Sequence, residues 1–258
     1  MNKITAAFQH GKAFIPFLTG GDPDIETTEK LIRAMAEAGA DIIEIGVPFS
    51  DPIAEGTVIQ EASQRALQGG VTVDQLFDMV SRLRRDIQIP FLFMGYANSV
   101  YGYGAGKYME RCREAGVDGV ILPDVPFEEH QEFQEVLSRY GITQISMVAP
   151  TSQDRAKAIA EKAEGFLYCV SSLGVTGVRS SFSSNISEII GLAKSAGNVP
   201  CAIGFGISTL EQAKAMAQKA DGVIVGSAIV KLIAEHSRDS VPVVYDYVKR
   251  MKDAIRDC

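Results

Sequence analysis

The chain has 258 residues, 46% of them apolar and 22% charged, with a formal net charge of −7. That apolar share supplies a sizeable core and speaks against disorder, while the acid excess speaks against nucleic acid or an anionic membrane as partner. The Met1–His10 segment has no signal-like apolar region and no run of 18 apolar residues occurs, so a soluble, cytoplasmic protein is expected. Cys112, Cys169, Cys201 and Cys258 show neither close pairing nor metal-like spacing, so free thiols in a reducing compartment and no metal site are expected.

Strand-like runs recur at Ala13–Leu18, Ile42–Val47, Pro90–Met94, Gly119–Leu122, Gln144–Val148, Gly165–Val170, Cys201–Gly204 and Gly222–Val225. Between them lie stretches with apolar residues at three- and four-residue steps, among them Leu31, Met35 and Ala38; Leu76, Met79, Val80 and Leu83; and Phe133, Val136 and Leu137. No Pro/Ser-rich linker divides the chain. The pattern predicts an α/β fold, a (β/α)8 TIM barrel formed by residues 1–258 as a single domain with extra short helices; an open doubly wound sheet is the alternative. A short echo supports tandem units: Glu-Ala-Gly-Ala-Asp41, Glu-Ala-Gly-Val-Asp118 and Gln-Lys-Ala-Asp221 each precede an apolar run.

In such a barrel the reactive groups sit at the C-terminal ends of strands and in the loops that follow. Thr19–Pro23, Phe49–Gly56, Tyr96–Gly106, Asp124, Gly174–Gly177, Gly204–Ser208 and Gly226–Ser227 all fall on that face. Within Ile42–Val47, alternation sends Ile43, Ile45 and Val47 toward the helices and Ile42, Glu44 and Gly46 toward the interior. A carboxyl there is either half of a structural ion pair or a group whose pKa burial raises for chemistry. Asp51 and Glu55 follow on the loop above, and Thr57-Val-Ile-Gln60 offers a capping box. Asp124, between two prolines, reads as a loop brace in preference to a catalytic acid. Tyr168 shares parity with Phe166 and Val170, and either orients an interior group or packs the core. Phe17, Met94, Ile121 and Phe205 could line a pocket, although apolar strand ends are buried in any case.

Gly204-Phe-Gly-Ile-Ser208 follows strand seven and opens a helix with Ser208 as the expected N-cap. Gly226-Ser227 follows strand eight and begins Ala228–Leu232, long enough for a short extra helix. Such glycines either simply turn the chain or let an anion approach backbone N–H groups at a helix start; after strands seven and eight the second use is a recurring phosphate site. Ser171–Ser184, with six serines and two glycines, reads as a linker or as a lid that closes over substrate.

The run Glu44-Ile-Gly-Val-Pro-Phe-Ser-Asp-Pro with the acid at Glu55 resembles the signature of the tryptophan synthase α subunit family. The likeness continues through Phe14–Pro23, Tyr96-Ala-Asn98, Pro123–Pro126, Gly174–Gly177, Gly204–Ser208 and Gly226–Lys231, in order along nearly the whole chain. It implies retro-aldol cleavage of indole-3-glycerol phosphate to indole and glyceraldehyde 3-phosphate. It carries a phosphate site onto Gly177, Phe205, Gly206, Gly226 and Ser227, and a closing lid onto Thr176 and Gly177. It implies that the loops bearing Asp51 and Tyr96 face a β subunit in an α2β2 assembly, with pyridoxal phosphate only in that partner and no cofactor in this chain. Tyr101, Gly102, Tyr103, Gly104 and Gly106 give the second of these loops a flexible, recognition-like composition.

Aldol cleavage needs an electron sink. The predicted strands hold no lysine for a Schiff base and no histidine for a metal, and His10, His130 and His236 lie far apart. An indole ring protonated at C3 is its own sink. Glu44 is the candidate for proton transfers at C3 and at the side-chain hydroxyl, and Glu55 for the ring N–H. Most relatives carry aspartate at position 55 followed by Gly-Pro; here the acid is one methylene longer and Gly56-Thr57 follows. Ser172 stands where many relatives have arginine. A stand-alone lyase releasing free indole, a phosphate-sugar isomerase and a non-catalytic regulatory subunit are the competing readings.

Overall fold

The computed structural model describes residues 2–149, 153–170, 186–197, 199–204 and 206–258. Its strands are β1 Ala13–Thr19, β2 Ile43–Gly46, β3 Phe91–Met94, β4 Gly119–Ile121, β5 Thr143–Gln144, β6 Ser146–Val148, β7 Leu167–Val170, β8 Cys201–Gly204 and β9 Gly222–Val225. All pairings are parallel, in the order β5-β4-β3-β2-β1-β9-β8-β7-β6. β5 and β6, the two ends of this order, are separated only by Ile145, whose N–H donates to the Val120 carbonyl at 2.9 Å. They are halves of one fifth strand, the first paired with β4 and the second with β7, and the ring is completed through Ile145. The barrel reading therefore holds, with the expected Gln144–Val148 strand divided in two.

Helices occupy the crossovers that parallel strands require. Ile25–Glu37, Val73–Leu83 and His130–Tyr140 carry the apolar stripes read from the sequence. The two layers of side chains divide by parity. Phe14, Leu18, Ile43, Ile45, Phe91 and Phe93 pack outward against helices, while Ile15, Phe17, Ile42, Leu92, Met94, Ile121, Phe166, Tyr168 and Ile224 fill the interior. At the end opposite the candidate site, the short helix Lys3–Ala6 inserts Ile4 into the inner cluster, and the Phe8 ring lies 5.5 Å from that of Phe166. Among the described residues no helix is long and apolar enough to cross a membrane.

The echo ending in aspartate has a physical use. Each of these aspartates donates its own N–H to a carbonyl at the start of a neighbouring strand, and its carboxylate accepts the N–H of that same residue. Asp41 holds Phe14 in this way, Asp118 holds Phe91, and Asp221 holds Cys201. A cation completes each clamp: Lys252 at 2.6 Å from Asp41, Arg84 at 2.7 Å from Asp118, and Lys194 at 2.8 Å from Asp221. Strand starts at the barrel base, whose amides and carbonyls lack a full ladder, are satisfied by these clamps. Asp118→Ala removes the acceptor of the Phe91 N–H and leaves Arg84 short of its counter-charge, at an expected cost of roughly 1–3 kcal/mol. Urea unfolding of wild type and variant measures it; an unchanged midpoint would remove the clamp from the account of stability.

Candidate active site

Glu44 lies in the middle of β2, opposite Phe17 of β1 and Leu92 of β3, and is 1% exposed. Its outward neighbours Ile43 and Ile45 belong to the helix-facing core, so its side chain faces the interior as the alternation predicts. Among the described residues no cation pairs with it, and its Oε1 has no hydrogen-bond partner, so the structural ion-pair alternative has no support among them. Burial pushes the carboxyl up to about 8, so it holds its proton at neutral pH. Tyr168, on β7, is also interior and buried; burial and the neighbouring Glu44 charge both raise its pKa. A side chain at Gly204 would collide with the Tyr168 hydroxyl, so the β8 glycine makes room for that ring.

Glu55 is not a solvated loop acid. It is 7% exposed, and the Tyr96 hydroxyl donates to its Oε2. The same hydroxyl oxygen accepts from the Ala54 N–H at 3.1 Å, and the Phe49 ring stacks on Tyr96 at 5.0 Å. Burial raises the Glu55 pKa, as does the charge of Asp124, while the Tyr96 hydrogen bond opposes them. Tyr96 thus grips the loop carrying Glu55, a role that sequence reading, which placed Tyr96 on a partner-facing loop, did not foresee. Asp124 accepts the Ala97 N–H with both carboxylate oxygens at 3.1 Å and so braces the helix that Tyr96 caps. Asp51 is exposed and accepts from the Ser50 hydroxyl.

Three local expectations need correction. The tyrosine-rich stretch is helical, Ala97–Tyr103 and Ala105–Ala115, broken at Gly104 with φ +92°; the Tyr103 hydroxyl donates to Asp74, and Tyr101 stays 54% exposed. Helix Thr57–Gln68 has Gly56 as N-cap with no side-chain cap, because Gln60 donates to the Glu55 carbonyl at 2.8 Å and closes no capping box. The N-cap after strand β8 is Thr209, which forms a capping box with Gln212, while Ser208 donates its N–H to that same Gln212 side chain.

Phe17, Met94 and Ile121 lie in the inner cluster. Gly206 has φ +79°, a left-handed conformation that glycine adopts freely. Gly226 caps helix Ser227–His236, longer than the segment read from sequence, and a side chain at Gly226 would press on Phe17. The first N–H groups of that helix have no intrahelical acceptor by geometry. Thr176, Gly177, Phe205 and Ser172 lie outside the described residues. Among the described residues no group of three or more His, Cys, Asp or Glu side chains gathers as a metal would require.

The residue pattern of the family described as "Tryptophan synthase alpha chain" matches residues 4–256. The chain belongs to the tryptophan synthase alpha chain family. It is 46% identical over 256 residues to the tryptophan synthase alpha chain of Lactiplantibacillus plantarum, covering 99% of this chain and 97% of that one. To the alpha chain of Alkaliphilus metalliredigens it is 45% identical over 253 residues, covering 97% and 95%. The crystal structure of tryptophan synthase subunit alpha from Legionella pneumophila superposes with TM-score 0.90 at 34% identity, covering all of both chains. A chain of the tryptophan synthase α2β2 complex from the hyperthermophile Pyrococcus furiosus, studied for mutual activation, superposes with TM-score 0.87 at 35% identity, covering 95% of this chain and 99% of that one. The family is one of lyases in tryptophan biosynthesis.

The Glu44 environment makes a stability prediction independent of turnover. An unfolded glutamate releases its proton near 4.5, and the folded one holds it to about 8. Between those values the folded state binds the extra proton, so the contribution of Glu44 favours folding below about 4.5 and is lost as pH rises through about 8. Unfolding free energies of wild type minus Glu44→Gln should therefore fall across that window; a flat difference would mean that Glu44 is ionised in the folded chain.

Proposed function

We propose that this chain is the α subunit that cleaves indole-3-glycerol phosphate to indole and glyceraldehyde 3-phosphate in the cytoplasm. The observation that carries the reading is Glu44, an interior carboxyl without a cation among the described residues, which keeps its proton at neutral pH. As an acid it delivers that proton to indole C3, while the Glu55 carboxylate takes the ring N–H proton. The Glu44 carboxylate then accepts the proton of the hydroxyl on the carbon attached to C3. The C3–C bond breaks, its electron pair re-forms the C2–C3 double bond, and nitrogen recovers its proton from Glu55. Aldehyde and indole leave with both acids restored. Tyr96 favours the ionised form of Glu55 by donating to it. Tyr168 orients Glu44 or the reacting hydroxyl. Phe17, Met94 and Ile121 flank the ring, and Gly206, Gly226 and Ser227, together with Gly177 and Phe205, seat the phosphate on backbone N–H groups. No metal takes part, and pyridoxal phosphate belongs to a β subunit that receives the indole in an α2β2 assembly.

Incubation with indole-3-glycerol phosphate, with and without a cognate β subunit, tests the reaction by release of indole. Glu44→Gln should keep substrate affinity and lose roughly 10²–10⁴-fold in turnover, the usual scale for a positioned acid/base. Glu55→Asp should stay active, with Glu55→Ala severely impaired. Near-normal turnover by Glu44→Gln would sink the assignment, and equally inactive Asp and Ala variants would make Glu55 a length-dependent structural residue.

The partner reading rests on the loop that Asp51 and Glu55 share. Ile53 lies between them and is 72% exposed, one of three large apolar side chains exposed among the described residues. Docking on the Asp51 side orders this loop and sets Glu55, a coupling on the scale of about 1–3 kcal/mol, or ~5–150-fold. Asp51→Ala should lose most of the stimulation by β subunit while retaining the weak rate of the isolated chain. An undiminished stimulation in that variant would place the coupling elsewhere.

A further inference from the structure

We propose that Thr19 is a substrate-contacting residue whose hydroxyl holds the spectator hydroxyl on the middle carbon of the glycerol phosphate chain. The inference rests on the function proposed above and adds a contact to it. Thr19 is the last residue of β1, and the parity of that strand is settled on both sides. Ala13, Ile15 and Phe17 belong to the inner cluster, whereas Phe14 and Leu18 belong to the outer one. Thr19 therefore faces inward, one layer nearer the mouth than Phe17. It is 2% exposed, and among the described residues its Oγ1 has no hydrogen-bond partner. Among the described residues, Thr19 Oγ1 and Glu44 Oε1 are the two buried side-chain oxygens in this condition.

The sheet order gives the unmet hydroxyl its use. β1 lies between β2, which carries Glu44, and β9, which leads into Gly226 and Ser227. A substrate with its phosphate at the Ser227 helix start and its reacting carbon at Glu44 must cross the end of β1. The floor of that crossing is Phe17, whose ring lies against both Gly46 on one side and Gly226 on the other. Above that floor, opposite the side-chain-free Gly46, stands Thr19. In indole-3-glycerol phosphate the carbon between the reacting carbon and the phosphate-bearing carbon carries a hydroxyl that takes no part in bond breaking. A threonine hydroxyl both donates and accepts, so the two satisfy one another. Without that contact a buried hydroxyl costs free energy that a valine in the same place would not.

The test uses the full chain with Thr19→Val and Thr19→Ser. The readouts are KM for indole-3-glycerol phosphate, the inhibition constant of 3-(indol-3-yl)propyl phosphate, which lacks both chain hydroxyls, and the thermal midpoint. Thr19→Val should raise KM roughly ten-fold or more, leave the inhibition constant of the propyl compound unchanged, and unfold no earlier than wild type. Thr19→Ser should restore most of the KM. Equal weakening of both compounds by valine would mean a distorted site and would overturn the contact. So would an unaltered KM, with or without a lower thermal midpoint. Wild-type protein that neither cleaves the glycerol phosphate nor binds the propyl compound would overturn the proposed function and the contact together; wild-type activity with an indifferent valine variant would overturn the contact alone.

Discussion

A carboxyl group buried in a largely apolar barrel interior is the constraint around which the mouth of this protein is arranged. Across the sheet Glu44 meets Phe17 and Leu92, neither of which can donate to it. A carboxylate there would lose its hydration, with no cation among the described residues to offset the loss, so the proton stays. The same constraint limits how a phosphate can be bound nearby. A lysine or arginine reaching into the mouth would attract the anion, but it would also favour ionisation of Glu44 and remove the acid. Backbone N–H groups at a helix start hold an anion with a partial charge that fades within the first turn. A glycine-capped helix after β9 is thus the kind of anion seat compatible with a protonated neighbour.

Glu55 shows the opposite arrangement. Its desolvation is countered by a donated hydrogen bond from Tyr96, and Tyr96 is itself fixed by the Ala54 amide, the Phe49 ring and the Asp124-braced helix. Burial raises the pKa of both carboxyl groups, with Glu44 Oε1 lacking a hydrogen-bond partner among the described residues and Glu55 receiving an opposing hydrogen bond from Tyr96. Two buried acids, one of them held by a hydrogen-bond donor, suit a reaction that needs a proton delivered at one atom and removed at another. The Glu55 side chain ends on the Tyr96 hydroxyl.

Much of this was legible in the sequence because it depends on local periodicity. Alternation in Ile42–Val47 is enough to send Glu44 inward, and eight apolar runs separated by amphipathic stretches are enough for the barrel. What was illegible depends on contacts between distant segments. The Glu55–Tyr96 pair joins residues 41 apart, and neither residue type announces the other. The break at Ile145 reflects how the fifth strand shares its hydrogen bonds between β4 and β7, which composition does not encode. Ser208 and Thr209 are both acceptable caps. Each has a box partner three residues beyond it, Glu211 or Gln212, so the spacing allows both, and the structure forms the box from Thr209 and Gln212. The tyrosine-rich helix Ala97–Tyr103 was masked by Gly102, whose low helix propensity was overridden by Asp124 at the helix start and by burial of Val100.

The aspartate clamps at the barrel base also bear on how such a ring can assemble. Their hydrogen bonds span 27, 27 and 20 residues, about the length of one strand–helix unit, so each needs only its own unit and the next strand to form. The pairing of β1 with β9 is different: it brings Ala13 to Gly222, and the loop it closes is nearly the whole chain. Closing a long loop costs more entropy than closing a short one, and contacts of short sequence separation speed folding. Clamped units can accordingly gain native contacts while the ring is still open, leaving the seam between the first strand and the last as the step that bears the largest entropic cost. Lys252, on the C-terminal helix, donates both to the Lys12 carbonyl just ahead of β1 and to Asp41, so the last helix is tied to the first strand.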